Sequence, residues 1–159
     1  MKVMNLAAEA AMIIRTAWLY SEYSNNFLRT MLRLMNERDS LSVVDDQRGS
    51  PTYANGLAQI IWQIITEERL KSGIYHWTDG ADISWYEFAQ HIQKEALKIE
   101  LIERAIPILA ISSKQYPTLA RRPPYSVLDT TSLTDLLSRK SDDWHLNLRL
   151  ALHRIADSI

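Results

Sequence analysis

The chain has 159 residues, of which 47% are apolar and 23% charged, with a net charge of −1; this is the balance of a soluble globular domain with a core of its own. So little charge gives no field to draw nucleic acid or an anionic membrane, so any anion site has to come from local geometry. The absence of cysteine excludes disulfides, thiolate zinc sites and a cysteine nucleophile, and agrees with the cytoplasmic location expected here.

At the N-terminus, Glu9 interrupts an apolar run that Arg15 ends, too early for a membrane span. Met12-Ile13-Ile14 reads as a buried strand leading into the loop Arg15-Thr16-Ala17-Trp18. Phe27, Leu28, Met31, Leu32 and Met35 share one helical face. A short strand over residues 41–44 runs into a polar loop, residues 45–52. The spacing then predicts a long helix with Ala54, Leu57, Ala58, Ile61, Ile64 and Ile65 inward.

Residues 73–77 read as a strand after a glycine start. Ser84 with Glu87 three residues on is a capping box, opening a helix that buries Trp85, Phe88, Ala89, Ile92 and Ala96. Residues 106–111 read as a strand. The prolines between 117 and 124 exclude regular helix there. A last helix after Asp142-Asp143 buries Trp144, Leu148, Ala151, Leu152 and Ile155. Strands alternating with helices give an α/β class. The strands are few and short, as in part of a larger α/β protein or a small lobe that leans on another chain.

None of the four glycines, Gly49, Gly56, Gly73 and Gly80, makes the glycine-rich turn that cradles a phosphate at a helix start. The four histidines, His76, His91, His145 and His153, lack metal-ligand spacing, so no metal is expected.

Three polar clusters stand out. In the first, residues 15–20, Trp18 offers a flat wall for a sugar ring, and Thr16 or Tyr20 can bond its hydroxyls. The position suits a ligand, since ligands in open α/β sheets sit beyond the carboxyl ends of strands. The plainer alternative, a core Trp at a strand end, is the commoner one. The second is the loop 45–52, after which a helix start would present free N–H groups near Thr52 and Tyr53 to an anion. Such loops are more often only connectors. The third is residues 116–126, where Arg121 and Arg122 sit in a proline-stiffened loop. Guanidiniums there match a diphosphate bidentately or pair with acidic neighbours, and the residues alone do not decide between the two.

The stretches IIRTAWLYS (13–21), NNFLRTMLRLMNERDSLSVVDDQRGSPTYA (25–54), GIYHWTDGADISWYEFA (73–89) and YPTLARRPPYSVLDT (116–130) together resemble the C-terminal half of the dTDP-4-dehydrorhamnose reductases, in the extended short-chain dehydrogenase/reductase superfamily. The resemblance implies an α/β fold: a partial Rossmann-like sheet plus the small C-terminal substrate-binding lobe. Residues 1–159 are then expected to form one substrate-binding domain, with the N-terminal dinucleotide-binding portion absent.

The family reduces the 4-keto group of dTDP-4-dehydro-6-deoxy-L-mannose to dTDP-L-rhamnose with NADPH. By resemblance Trp18 faces the deoxysugar and Arg122 binds the diphosphate. Gln47, Pro51 and Thr52 shape the loop near the sugar nucleotide, with Thr16 beside them.

The family's catalytic pair is Tyr-x-x-x-Lys, in which Tyr protonates the carbonyl oxygen and Lys lowers the Tyr pKa and holds the ribose. The residues four positions after the seven tyrosines are Ser24, Phe27, Leu57, Asp79, Gln90, Ala120 and Asp129, so no such pair exists here. Leu6-Ala7-Ala8-Glu9 is similar to the run that follows that motif in the family, which would put Met1 and Asn5 at the Tyr and Lys positions. The expectation is a chain with no catalytic residue that binds no NADPH by itself and takes a dTDP-sugar as ligand. A homodimer, a separate Rossmann-domain chain that completes the enzyme, and a non-catalytic interaction or regulatory role are the alternatives.

Overall fold

The computed structural model describes residues 11–118 and 122–158. The features expected of Leu6 to Glu9 and of Met1, Asn5 and Arg121 lie outside the described residues. The strands are β1 (Met12–Arg15), β2 (Leu19–Tyr20), β3 (Leu41–Val44), β4 (Arg48–Gly49), β5 (Thr52–Tyr53), β6 (Gly73–His76), β7 (Ile83–Ser84) and β8 (Ile108–Ile111). The α-helices are α1 (Phe27–Glu37), α2 (Ala54–Thr66), α3 (Trp85–Lys98), α4 (Thr131–Leu137) and α5 (Trp144–Ala156). The strands pair two by two: β1 with β6, β2 with β5 and β3 with β8 in parallel, and β4 with β7 antiparallel.

The helices begin where side chains satisfy their free amides. The Asn26 side chain accepts from Arg29 N at α1, and Asp143 accepts from His145 N at α5. At α3 the Ser84 hydroxyl accepts from Glu87 N while Glu87 accepts from Ser84 N, the reciprocal box read from the sequence. Leu28, Met31, Leu32 and Met35 of α1 pack with Phe88, Ala89, Ile92 and Ala96 of α3 and with Leu148, Ala151, Leu152 and Ile155 of α5 in the larger core.

A second core joins Ile60 and Ile64 of α2 to Tyr75, Trp77, Leu133 and Leu137. Here the expected inward face of α2 is corrected. Ile61 and Ile65 point outward, 42% and 55% exposed, with Trp62 at 67%, while Ile60 and Ile64 are buried. Ala58 is also exposed. The strand expected over 106–111 is shortened to Ile108–Ile111: Ile106 N donates to Gln93 Oε1 and Pro107 has no N–H to give a ladder.

Parallel strands are normally found inside larger sheets covered on both faces. Among the described residues β1 has β6 as its single partner, so the β1–β6 pair has the form of the margin of a longer parallel sheet.

Candidate functional site

Beyond the end of β1 the chain turns sharply, and Trp18 takes a left-handed backbone (φ 46°) that bulky residues seldom adopt. The turn is tied to β5. Thr52 N donates to Trp18 O at 3.2 Å, Thr52 Oγ1 donates to Ala17 O at 2.8 Å, and Thr16 Oγ1 donates to Thr52 Oγ1 at 2.9 Å. Thr52 has no exposed surface, so it acts as a brace for the first cluster and would reach a ligand only through Thr16, which is half-buried.

The anion slot expected at the start of α2 is already filled. Tyr53 N donates to Asp79 Oδ2 at 2.9 Å, and Thr52 N is taken by Trp18. The Asp79 carboxyl is buried, and burial pushes its pKa up to about 6, with Asp142 adding to the rise and the Asn147 amide and Tyr53 N opposing it. A carboxylate fixed at a helix start serves the helix dipole as an external anion would.

The Trp18 indole stacks on Trp85, ring centroids 3.5 Å apart and planes 11° from parallel. Gly49 closes in on the same ring: a Cβ at that position would sit 2.5 Å from Trp18 Cε2. Trp18 is half-buried, so only the part of its ring that neither Trp85 nor Gly49 covers is open to solvent. Thus the first and second clusters meet at Gly49. The third meets them one residue earlier: Arg48 N donates to Pro124 O at 2.8 Å, Ser126 N donates to Arg48 O at 2.9 Å, and Arg48 bridges Tyr125 in parallel.

The structure therefore brings Thr16, Trp18, Thr52 and the root of the Arg122 loop into one neighbourhood. Arg122 itself is exposed. Gln47 is half-buried between Asp46, which accepts from Ser113, and Arg48. Pro51 is buried, and its carbonyl accepts from Asp79 N. From the sequence Arg48 and Gly49 are only members of the loop 45–52, Asp79 has no role, and Trp85 is only core. Their roles depend on contacts between distant segments, and only the glycine between two polar residues gave a local sign of close approach.

All four glycines face other side chains. Gly49 lies against Trp18, Gly56 against Asp142 and Asn147, Gly73 against Tyr75 and Gly80 against Ser141. Each lies against a side chain of the same fold, so none of the four opens a glycine-rich cradle for a dinucleotide diphosphate. Among the described residues no three His, Cys, Asp or Glu side chains gather for a metal, and no helix is long and apolar enough to cross a membrane. A separate open cleft of about 610 Å³ lies along Glu22, Tyr23, Arg29 and Arg154.

A parallel strand pair with a small helical lobe, joined beyond the strand ends by the turn at Trp18, fits the fold of an extended short-chain dehydrogenase/reductase. Residues 2–156 match the RmlD substrate binding domain family, and the chain belongs to that family.

Among curated relatives, the dTDP-4-dehydrorhamnose reductase of Aggregatibacter actinomycetemcomitans is 43% identical over 143 residues, covering 87% of this chain and 49% of that protein. The Escherichia coli K12 reductase is 34% identical over 91% of this chain and 49% of that protein. The chain thus spans about half the length of the curated relatives it matches. Among solved structures, dTDP-4-dehydrorhamnose reductase from Bacillus anthracis, in complex with NADP, superposes with a TM-score of 0.80 at 34% identity, covering 90% of this chain and 48% of that one. A Clostridium acetobutylicum counterpart gives 0.78 at 32% identity, covering 91% and 49%.

Proposed function

We propose that these 159 residues are the part of a dTDP-4-dehydrorhamnose reductase that grips the sugar nucleotide. In this reading Trp18 and Thr16 meet the deoxysugar, Gln47 lines the approach, Thr52 braces the turn, and Arg122 binds the diphosphate. In this reading NADPH supplies the hydride, and the residues that would hold it and deliver the accompanying proton are not among these 159. The relatives are about twice as long, and the glycines and tyrosines present here supply neither a dinucleotide cradle nor a Tyr-x-x-x-Lys pair.

The observation that carries the reading is the meeting of three sequence-distant clusters at Trp18, Gly49 and Arg48. A strand end, a strand-to-helix loop and a proline-stiffened arginine loop brought together can offer a deoxysugar diphosphate an apolar wall and a nearby cation. The test is calorimetric titration with dTDP-rhamnose and with NADPH separately. Saturable binding of the sugar nucleotide that Arg122→Ala abolishes is the expected result, with little or no heat from NADPH. Tight NADPH binding, or turnover of the keto-sugar by this polypeptide alone, would overturn it.

A second reading, a half-enzyme completed by a separate dinucleotide-binding polypeptide, draws on the margin of β1, unpaired among the described residues, and the outward Ile61, Trp62 and Ile65. NADPH oxidation that appears only on adding such a polypeptide would favour it.

A further inference from the structure

We infer that Arg48 is a positioning residue for diphosphate recognition: it clamps segment 124–126 onto β4 and so fixes where Arg122 stands. The inference rests on the reading of Arg122 as the diphosphate ligand. Arg48 works through both its main chain and its side chain. Its N–H and C=O are bonded to Pro124 O and Ser126 N, and Ser126 Oγ donates to the same Arg48 carbonyl at 3.0 Å.

Its guanidinium turns the other way. Nε meets Asp82 Oδ1 at 2.7 Å, Nη2 donates to Asp82 O at 2.6 Å, and Nη1 lies 3.4 Å from Glu87 Oε2. Tyr125 closes the ring by donating its hydroxyl to Asp82 Oδ2 at 3.4 Å.

Two further contacts tie this clamp to the sugar wall. β4 pairs with β7, Arg48 opposite Ser84 and Gly49 opposite Ile83. Gly49 then touches Trp18, and Trp85, the residue after Ser84, stacks on it. One two-residue strand therefore holds the aromatic wall with one residue and the arginine loop with the other.

Arg122 is two residues from the Pro124 anchor, a reach of at most about 7 Å, and Pro123 and Pro124 stiffen that span. A planar guanidinium that forks onto both a carboxylate and a carbonyl is a role that lysine's point charge does not reproduce. Ordering Arg122 before the ligand arrives lowers the entropic cost of its contact.

The test compares the wild type, Arg48→Met, Arg48→Lys, Arg122→Ala and the Arg48→Met/Arg122→Ala double variant. Each is titrated with dTDP and with dTMP, and amide exchange is followed at Ser126. The expected result is a wild-type preference for dTDP over dTMP that falls at least tenfold in Arg48→Met and is only partly restored in Arg48→Lys. The double variant should lose no more than Arg122→Ala alone, and Ser126 should exchange at least tenfold faster in Arg48→Met.

A purely structural role would weaken both nucleotides alike, so an unchanged dTDP-to-dTMP ratio overturns the inference, as does a fully additive double variant. Should Arg48→Met fail to fold, Asp82→Asn is measured in its place with the same expectations. If the wild type binds no dTDP, the proposed function fails on its own account. The clamp is then judged by Ser126 exchange, and unchanged protection in the Arg48 and Asp82 variants overturns it.

Discussion

Trp18 and Trp85, 67 positions apart in the sequence, lie flat on one another with ring centroids 3.5 Å apart, and Gly49 closes on the Trp18 ring. The Gly49 backbone is not in the left-handed region, so an alanine there meets resistance from the indole alone. Gly49→Ala is expected to push Trp18 out of its stack and to cost about 1–3 kcal/mol, the usual range for overpacking. Two indoles this close couple electronically, so far-ultraviolet circular dichroism should show a split band in the wild type that is lost in Gly49→Ala and in Trp85→Phe. A Gly49→Ala protein with the band and the stability unchanged would contradict the packing described.

The register of α2 can be checked by a neighbouring pair of substitutions. Ile60→Ala removes a fully buried side chain and should destabilise by about 2–5 kcal/mol. Ile61→Ala, on the outward face, should change stability by no more than about 0.5 kcal/mol. Urea unfolding midpoints of the two variants decide the point, and equal losses would mean that the helix is turned by one residue.

That register shows where the sequence was legible and where it was not. In α1, α3 and α5 the apolar residues fall in one stripe and a polar cap marks the start, so period and cap agree. In α2 the apolar residues Ile60, Ile61, Trp62, Ile64 and Ile65 run nearly all the way round. Such a pattern fixes the helix but not its buried side. The seven-residue α4 buries only Leu133 and Leu137, too little to produce a period. The two-residue strands β2, β4, β5 and β7 carry no alternation at all. Thr16, Trp18, Thr52 and Arg122 stood out in polar or proline-marked segments, and the family resemblance added Gln47 and gave Trp18 and Arg122 their expected roles. That Thr52 is a buried brace, and that Asp79 occupies the helix start once reserved for an anion, depended on contacts between residues 26 to 36 positions apart.

Asp79 gives a pH prediction. Its pKa is raised from 3.8 to about 6 in the folded protein, so between those values the folded state holds a proton that the unfolded state has lost. The favourable contribution of the protonated group is complete below about 4 and disappears as pH rises through 6; over that window the loss is on the order of 3 kcal/mol. Asp79→Asn keeps an oxygen for Tyr53 N and removes the buried charge. It should be more stable than the wild type at pH 7.5, with the difference shrinking towards pH 4. Denaturant midpoints at the two pH values test this, and a wild type that is the more stable at pH 7.5 would refute it.

Glu22 works in the opposite direction. Burial tends to raise its pKa, but its own backbone N–H, Arg154 and Tyr53 outweigh that and hold it below the usual carboxylate range. Arg154 Nη1 lies 3.0 Å from Oε1, and Tyr53 donates its hydroxyl to Oε2 at 3.1 Å. Its stabilising contribution is present above the ordinary pKa of 4.5 and is lost as pH falls through the lowered folded value. Arg154→Ala should lower stability at neutral pH, by an amount that solvent screening of the exposed guanidinium keeps small. It should also flatten that part of the acid unfolding curve; an unaltered curve would show that the ion pair contributes nothing.

The left-handed turn at residue 18 has a consequence for redesign. Where the side chain emerges there is dictated by the main chain, which Thr52 laces from the opposite strand, and not by the ring's own preference. Phenylalanine or tyrosine substituted at this position would be delivered to the same place, shorter by part of an indole. Ring size at position 18 thus becomes a dial for how far the aromatic face extends past Gly49, adjustable without redrawing the loop that carries it.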